Sequence, residues 1–520
     1  METWSIVLIS ISIVAFFSLL SRNFSKNLPP SPPAIPIIGH LLWLRKPHDK
    51  MKLILRNLHE KYGPIFTLYI GSKPLIFVAT RSLAHEALVQ NGAVFADRPP
   101  ALPTVKHISC NLHNINASNG PTWQTLRRNL TSQILSRSRV KAYSHARKWV
   151  LKILVDRLVL HSQSGTPVCV VDHFRHALFC SLALMCFGEK LEEKQIVEIK
   201  HVLHRLALNL SRFEILNVWP RFGKILFRKR WAEFLQILQD IENVLVPFIE
   251  ARQKLREKKL KTSKSSYLQK VPVENKEDDH VVTYLDTLLD LELPEENNRK
   301  LEDSEIVSLC AEFLDGGTDT TSTAFQWIMA NLVKYPQVQE KLFMEMKEVL
   351  GDGEEEVREE DLQRVPYLKA VILEGLRLHP PGHLLIAHAV THDTVLNGFV
   401  VPKKGLVNFM VAEMGRDPKA WKDPTAFKPE RFLEISDLSQ IFNITGSKEI
   451  KMMPFGAGRR ICPGYSLAML HLEYLVANMV WKFQWKAVEG DDVNLAEKEE
   501  FTIGMKYPLQ AHLSPRVKRE

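Results

Sequence analysis

Residues 455–464 read "FGAGRRICPG", three glycines, two adjacent arginines and a single cysteine followed by proline. Turn-forming residues end at Gly464, and an apolar pattern with the 3.6-residue period of a helix starts at Tyr465. Cys462 therefore lies just ahead of a helix N-terminus. Unpaired backbone N–H groups and the positive end of the helix dipole stabilise a thiolate there, and Arg459 and Arg460 add positive potential. An isolated cysteine beside a loop is ordinarily an inert core residue, but the surrounding glycine, arginine and proline reverse that reading.

A soft anionic ligand in such a turn suits haem iron, to which a thiolate donates electron density that favours O–O cleavage. Glycines let the backbone approach a flat macrocycle closely. The remaining cysteines, at 110, 169, 180, 186 and 310, form no CxxC pair and no spacing typical of structural zinc. Their irregular spacing in a long chain points to a reducing compartment and to ordinary core positions.

With 520 residues and 45% hydrophobic content the chain can bury a large core. A formal charge of +9 favours acidic partners or an anionic membrane surface. Basic stripes interleaved with aromatics are absent, which speaks against nucleic acid. No G-x-G-x-x-G is present, so the chain is not expected to bind nicotinamide itself.

From Trp4 to Leu20 the sequence is apolar except for four serines. As a helix that stretch reaches roughly 26 Å, close to a thin bilayer of about 27 Å. Glu2, the lack of an N-terminal Lys or Arg, and the lack of a small-residue cleavage site favour an anchor over a cleaved signal. Arg22, Lys26, Arg45 and Lys46 follow the span, which places the rest of the chain in the cytosol. The expected organisation is an anchor at 1–22, a basic and proline-rich hinge at 23–39 ("LPPSPPAIPIIG") and one catalytic domain at 40–520. Short strand-like runs occur at 65–70, 74–79 and 394–401, and helical periodicity dominates elsewhere. Residues 256–280, basic and then acidic, read as a surface loop. The fold class expected is mainly α, a large helical domain with small β-sheets, preceded by one transmembrane helix.

Two further stretches carry chemistry. In "EIVSLCAEFLDGGTDTTSTAFQWIMANLV", small or apolar residues at 306, 310, 313, 317, 320, 324, 328 and 331 keep helical phase through Gly316-Gly317. Each interior glycine costs about 1 kcal/mol relative to alanine, so the pair implies a kink or the close approach of another body. Asp319 and Thr320 offer a carboxylate beside a hydroxyl, a pairing suited to relaying protons. In "YLKAVILEGLRLHPP", Glu374 and Arg377 sit among apolar residues, where burial is expected and loss of one partner costs about 3–5 kcal/mol. Two other E-x-x-R pairs, at Glu296 and Glu355, lie in polar segments and read as weak exposed pairs.

The pattern F-x-x-G-x-R-x-C-x-G at Phe455, Gly458, Arg460, Cys462 and Gly464 resembles the haem-binding signature of cytochrome P450 monooxygenases. The resemblance runs from the hinge to "FTIGMKYPL" and so implies the cytochrome P450 fold and a bound haem b. It makes Cys462 the axial ligand and Gly464 part of the haem-binding turn, pairs Arg460 with a haem propionate and packs Phe455 near the thiolate. Gly316, Gly317, Asp319, Thr320 and Thr321 resemble the family's oxygen-binding motif. Arg431 in "PERF" matches the arginine that completes the Glu374–Arg377 pair. Trp123 and Arg127 in "WQTLR" match residues that hold a propionate, and so does His388, although Ala387 replaces the usual preceding proline.

"FADRPP", "AEMGRDP", "FKPERF" and "RRICPG" look most like plant microsomal members, in particular an A-type group that includes enzymes oxidatively deformylating chlorophyll catabolites. The family implies dioxygen, a hydrophobic or amphiphilic small-molecule substrate, and electrons from an NADPH-cytochrome P450 reductase at the endoplasmic reticulum membrane. Positive charge on the chain suits an acidic partner of that kind. By resemblance the pocket walls fall at 102–116, Phe313, 384–386 and 502–505, mostly apolar apart from His107 and His113. Two other readings remain: a haem-thiolate isomerase or dehydratase that does not use dioxygen, and a non-catalytic haem sensor or membrane scaffold. The topology makes one prediction. The N-x-[ST] sequons at Asn23, Asn116, Asn129, Asn209 and Asn443 should be unglycosylated in the native host, and mass spectrometry finding a glycan at any of the last four would overturn it.

Overall fold

The computed structural model describes Trp4, Ser10, Ser12, Ile13 and residues 27–516, except 36–37, 45–47, Ser72, 218–222, 270–280, Asp352, Lys404 and 434–441. Most of the expected anchor thus lies outside the described residues. These residues are mainly helical with small sheets, and they form two compact units, each assembled from three stretches of chain. The first unit comprises Met1–Pro100, Lys369–Cys462 and Leu495–Lys506, and the second Ala101–Leu368, Pro463–Asn494 and Tyr507–Glu520.

In the first unit, Ile65–Ile70 pairs antiparallel with Lys73–Val78, which pairs parallel with Leu406–Phe409. Side chains alternate between the faces of a strand, and here both faces are covered. Phe66, Leu68, Leu75 and Phe77 pack with Leu55 and Leu58 of the His48–Tyr62 helix. Ile65, Ile76, Val78, Val407 and Phe409 enter a second core with Leu88, Phe95 and Val390. The run at 394–401 is a hairpin, Thr394–Leu396 with Phe399–Val401, closed by Asn397 and Gly398 at φ 52° and 77°. Two successive left-handed residues are what a tight twisted hairpin needs, and Asn-Gly supplies them cheaply. The proline-rich segment is extended and fastened: Pro30 O accepts the Thr67 N–H at 2.8 Å, and Asn27 O accepts the Val400 N–H at 2.8 Å.

The second unit is built around Asp303–Lys334, a 32-residue helix that runs through Gly316-Gly317 without a break. Glu302 and Glu305 form a reciprocal capping box at its start, and Pro336 follows its end. Its long neighbour Val170–Phe187 is the one helix, among the described residues, long and apolar enough to cross a membrane. Since 83% of that stretch is buried, it is a core helix here. Phe174 and Phe325 stack at 3.5 Å between centroids, and a Cβ at Gly317 would lie 2.6 Å from Leu182 Cδ1. Close approach of a second helix is the reason for that glycine.

Two expectations need correction. Residues 256–269 are not loop: they finish the 42-residue helix Arg228–Gln269, and only 270–280 fall outside the described residues. Lysine, arginine, glutamate, glutamine and leucine are good helix formers, and no glycine or proline interrupts them. The sequon at Asn129 cannot report topology, because Asn129 is buried and donates to Thr287 Oγ1 at 2.9 Å. The packing at Gly317 yields a prediction. Gly317→Val should cost about 1–3 kcal/mol through overpacking, and Leu182→Ala in the same chain should recover part of it in thermal unfolding; strict additivity would exclude the contact.

Candidate functional site

In the first unit the cysteine loop is held by its own backbone: Cys462 N–H donates to Phe455 O at 2.8 Å. Gly458 has φ +69°, and a Cβ there would overlap the Leu88 carbonyl oxygen. That carbonyl belongs to a π-helical turn, Glu86–Gln90. The glycine is required both by its left-handed backbone and by this contact. The Cys462 thiol is half-buried, and none of the six cysteines is in a disulfide.

Three basic side chains gather on the segment 95–98 and its neighbours. Arg460 Nε donates to Ala96 O at 2.7 Å, His388 Nδ1 contacts Phe95 O at 2.7 Å, and an Arg98 terminal nitrogen donates to Ile386 O and Ala387 O at 2.7 and 2.9 Å. Burial pushes the His388 pKa down to about 3, with Arg98 and Arg460 opposing its charge and the Phe95 carbonyl pulling the other way. His388 is thus neutral near pH 7, with its proton on Nδ1 toward Phe95 and a lone pair on Nε2. Donation to a carboxylate from Nε2 requires the imidazolium, which an anion held by the two arginines would favour. Arg98 is the basic residue of "FADRPP", and that is its one signal in the sequence.

Glu374 and Arg377 on the Pro366–Leu378 helix are both fully buried, with Arg377 Nε and a terminal nitrogen on the two Glu374 oxygens at 2.7 and 2.8 Å. The other Arg377 protons go to the carbonyls of Gly415, Pro424 and Ala426. Glu374 Oε1 also accepts from Lys428 N at 2.7 Å and Arg431 Nε at 3.1 Å. Gly415 is needed, since a Cβ there would come within 2.5 Å of Arg377 O.

In the second unit Asp319 pairs with Arg175 Nε at 3.0 Å, and Thr320 Oγ1 donates to Gly316 O at 2.8 Å. Gly316 and Gly464 each face open space, with nothing within 4 Å of a Cβ. Trp123 Nε1 donates to Ile115 O at 2.9 Å, and the Arg127 guanidinium lies 5.8 Å from the Trp123 ring. One indole proton is therefore already committed to the protein. Glu312, which no sequence motif marks, accepts from Ile115 N at 2.8 Å, and burial pushes its pKa up to about 7 against the backbone N–H groups of Ile115 and Asn116.

The Glu296–Arg299 pair is not the isolated exposed pair expected. Arg299 also reaches both oxygens of the buried Glu305 at 2.8 Å, and His113 Nε2 lies 2.8 Å from Glu296. Burial of the His113 ring opposes its charge, yet hydrogen bonds to Cys110 O and Glu296, with Glu305 nearby, raise its pKa. This network secures a turn in which Cys110, Asn111 and Leu112 all have positive φ, at 44°, 60° and 74°. No sequence signal marked it.

The donor set fits a haem. Among the described residues no group of three or more His, Cys, Asp or Glu could hold a bare metal ion, whereas a porphyrin brings its own nitrogen ligands and needs one axial thiolate. Arg98, Arg460 and His388 of the first unit suit an anionic periphery. Such a donor set defines a haem-thiolate protein. The cytochrome P450 family model matches residues 29–512, and the chain belongs to that family. It is 51% identical to cytochrome P450 89A9 of Arabidopsis thaliana over 533 residues, with both chains covered completely. It is 30% identical to isoflavone 3'-hydroxylase of Medicago truncatula, covering 97% of this chain and 96% of the relative. A 4-hydroxyphenylacetaldehyde oxime monooxygenase of Sorghum bicolor is 29% identical, with 98% and 94% covered. The protein is thus a haem-thiolate monooxygenase. The Glu374 geometry predicts that Glu374→Ala, which strands Arg377 and Arg431, destabilises by about 3–5 kcal/mol. Arg377→Lys should fail to restore the loss from Arg377→Ala, because a lysine cannot reproduce the planar fork; thermal unfolding of purified variants measures both.

Proposed function

We propose that this chain inserts one atom of dioxygen into a hydrophobic or amphiphilic small organic molecule and reduces the other to water. Electrons come from NADPH through a separate NADPH-cytochrome P450 reductase. The N-terminal segment crosses the endoplasmic reticulum membrane once and leaves the catalytic part in the cytosol. The observation that carries the reading is the Cys462 loop: a thiol in a glycine-forced turn, beside a basic cluster, in a chain that matches the family over nearly its full length. Relatives named for isoflavone hydroxylation and oxime oxidation support a small organic substrate.

Haem b, held by Cys462, supplies the electron and oxygen chemistry. Arg460, Arg98 and a charged His388 hold its propionates, with Arg127 assisting and the Trp123 ring lying beside Arg127, and Gly464 and Phe455 shape the turn at the ligand. Glu374, Arg377 and Arg431 are structural. Asp319 and Thr320 move protons: Asp319 is a carboxylate on Arg175, and Thr320, whose own proton points to Gly316 O, offers lone pairs for an incoming one.

Purified protein supplied with reductase and NADPH separates this reading from its rivals. A scaffold binds no haem, and a sensor, isomerase or dehydratase consumes no NADPH with any substrate. Cys462→Ser should abolish the long-wavelength absorption of the reduced carbonyl complex; its retention would remove Cys462 as ligand.

A further inference from the structure

Three carboxylates, Glu312, Asp315 and Asp319, follow one another along the Asp303–Lys334 helix. Steps of three and four residues place them on one face. Two have partners: Glu312 accepts the Ile115 N–H, and Asp319 pairs with Arg175. The half-buried Asp315 has neither a hydrogen bond nor an ion pair among the described residues. Its neighbour Gly316 faces open space, so protein does not fill the helix surface beside it. Asp319, as the carboxylate partner of Arg175, can receive a proton but has none to give. A relay through Asp319 and Thr320 needs a donor behind it.

We propose that Asp315 is the proton reservoir of this helix, a positioning residue that holds a proton in its neutral form and hands it to the Asp319 carboxylate. The inference rests on the reading of Asp319 and Thr320 as the relay. In the step an O–H bond breaks on Asp315 and one forms on Asp319, directly or through a water. Asp315 is left as a carboxylate and takes its next proton from solvent. No electron moves. Charge balance favours the sequence: Asp319 repels an ionised Asp315, and its neutralisation relieves that repulsion.

Electrostatics support the geometry. Burial pushes the Asp315 pKa up, and the Asp319 charge adds to it, to about 7, where a neutral-pH donor works best. Among the described residues Asp319 is the one charge that acts on Asp315. Glu312 is itself pushed up to about 7 by burial. The Val170–Phe187 helix contributes Arg175, already on Asp319, together with Asp172 and His173, and His176, whose pKa burial lowers to about 4. Lys200 of the Glu193–Phe213 helix lies in the field of Arg175 and Asp172. Tyr284 stays protonated, its pKa raised by burial.

The sign of the linkage is fixed. A free aspartate titrates near about 3.9, so between there and about 7 the folded chain holds a proton that the unfolded chain has lost. Stability therefore falls as pH rises through that window, and the penalty is complete above it.

The test compares the holoenzyme with Asp315→Asn, Asp315→Glu, Asp319→Asn and Thr320→Ala. Infrared difference spectra of the native enzyme against Asp315→Asn, in which the Glu312 band cancels, should show a protonated-carboxyl band that titrates near pH 7, and the same difference taken in the Asp319→Asn background should titrate at lower pH. The Tm of Asp315→Asn relative to the native enzyme should rise between about pH 4 and 7 and then level off. Peroxide released per NADPH should increase several-fold in Asp315→Asn and lose its pH dependence near neutrality, with Asp315→Glu restoring both. If Asp319→Asn and Thr320→Ala leave coupling unchanged, the relay itself is wrong. If those two uncouple while Asp315→Asn keeps the native carboxyl band and pH profile, the reservoir is wrong.

Discussion

A buried carboxylate–guanidinium pair sets the path of the chain that leads to the cysteine. Glu374 and Arg377 have no exposure to water, and taking two charges out of water costs several kcal/mol per ion. Such a pair persists only if its remaining protons and lone pairs are met. Here they are met by main chain: Arg377 reaches the carbonyls of 415, 424 and 426, and Glu374 receives the N–H of Lys428 and the Nε of Arg431. Carbonyls belong to particular points on the backbone, so satisfying the ion pair fixes a route as well as a contact. Gly415, with room for no side chain against Arg377 O, shows how tightly that route is drawn.

The same economy appears at the basic cluster of the first unit. The carbonyls of Phe95 and Ala96 orient His388 and Arg460, and those of Ile386 and Ala387 orient Arg98. Backbone carbonyls can aim cations but cannot neutralise them. Burial first, and then the charges of Arg98 and Arg460, hold the His388 pKa low and keep the imidazole neutral. An anionic ligand beside these cations gains from direct attraction.

What the sequence conveyed follows from what local chemistry can encode. The strand-like runs at 65–70 and 74–79 and an apolar phase unbroken at 316–317 are local signals, and each element appears where they lie, whereas the single run expected at 394–401 is a hairpin turned at Asn397-Gly398. The stretch 256–269 misled because charge density marks exposure, whereas helix formation depends on backbone propensity, which these residues satisfy. The network of His113, Glu296, Arg299 and Glu305 was illegible for another reason: its members become neighbours only after folding. Main-chain acceptors are equally silent, since every residue has a carbonyl. Hence Cys462 and the E-x-x-R pair stood out, while the carbonyls that aim His388 and Arg460 did not.

The second unit concentrates its constraints on one helix. Three successive non-glycine residues in left-handed backbone, at 110–112, carry a cost of order 1–3 kcal/mol each. The turn is held by His113 and Glu305 near the start of the helix, and the chain just beyond it by Glu312 further along. Asp319 fastens the helix to Arg175 on its packed neighbour. Every acidic side chain from Glu305 to Asp319 therefore has a holding role except Asp315, which has no hydrogen bond or ion pair among the described residues. Its carboxyl is relieved by binding a proton, because burial opposes its charge and the one charge acting on it among the described residues is the like charge of Asp319.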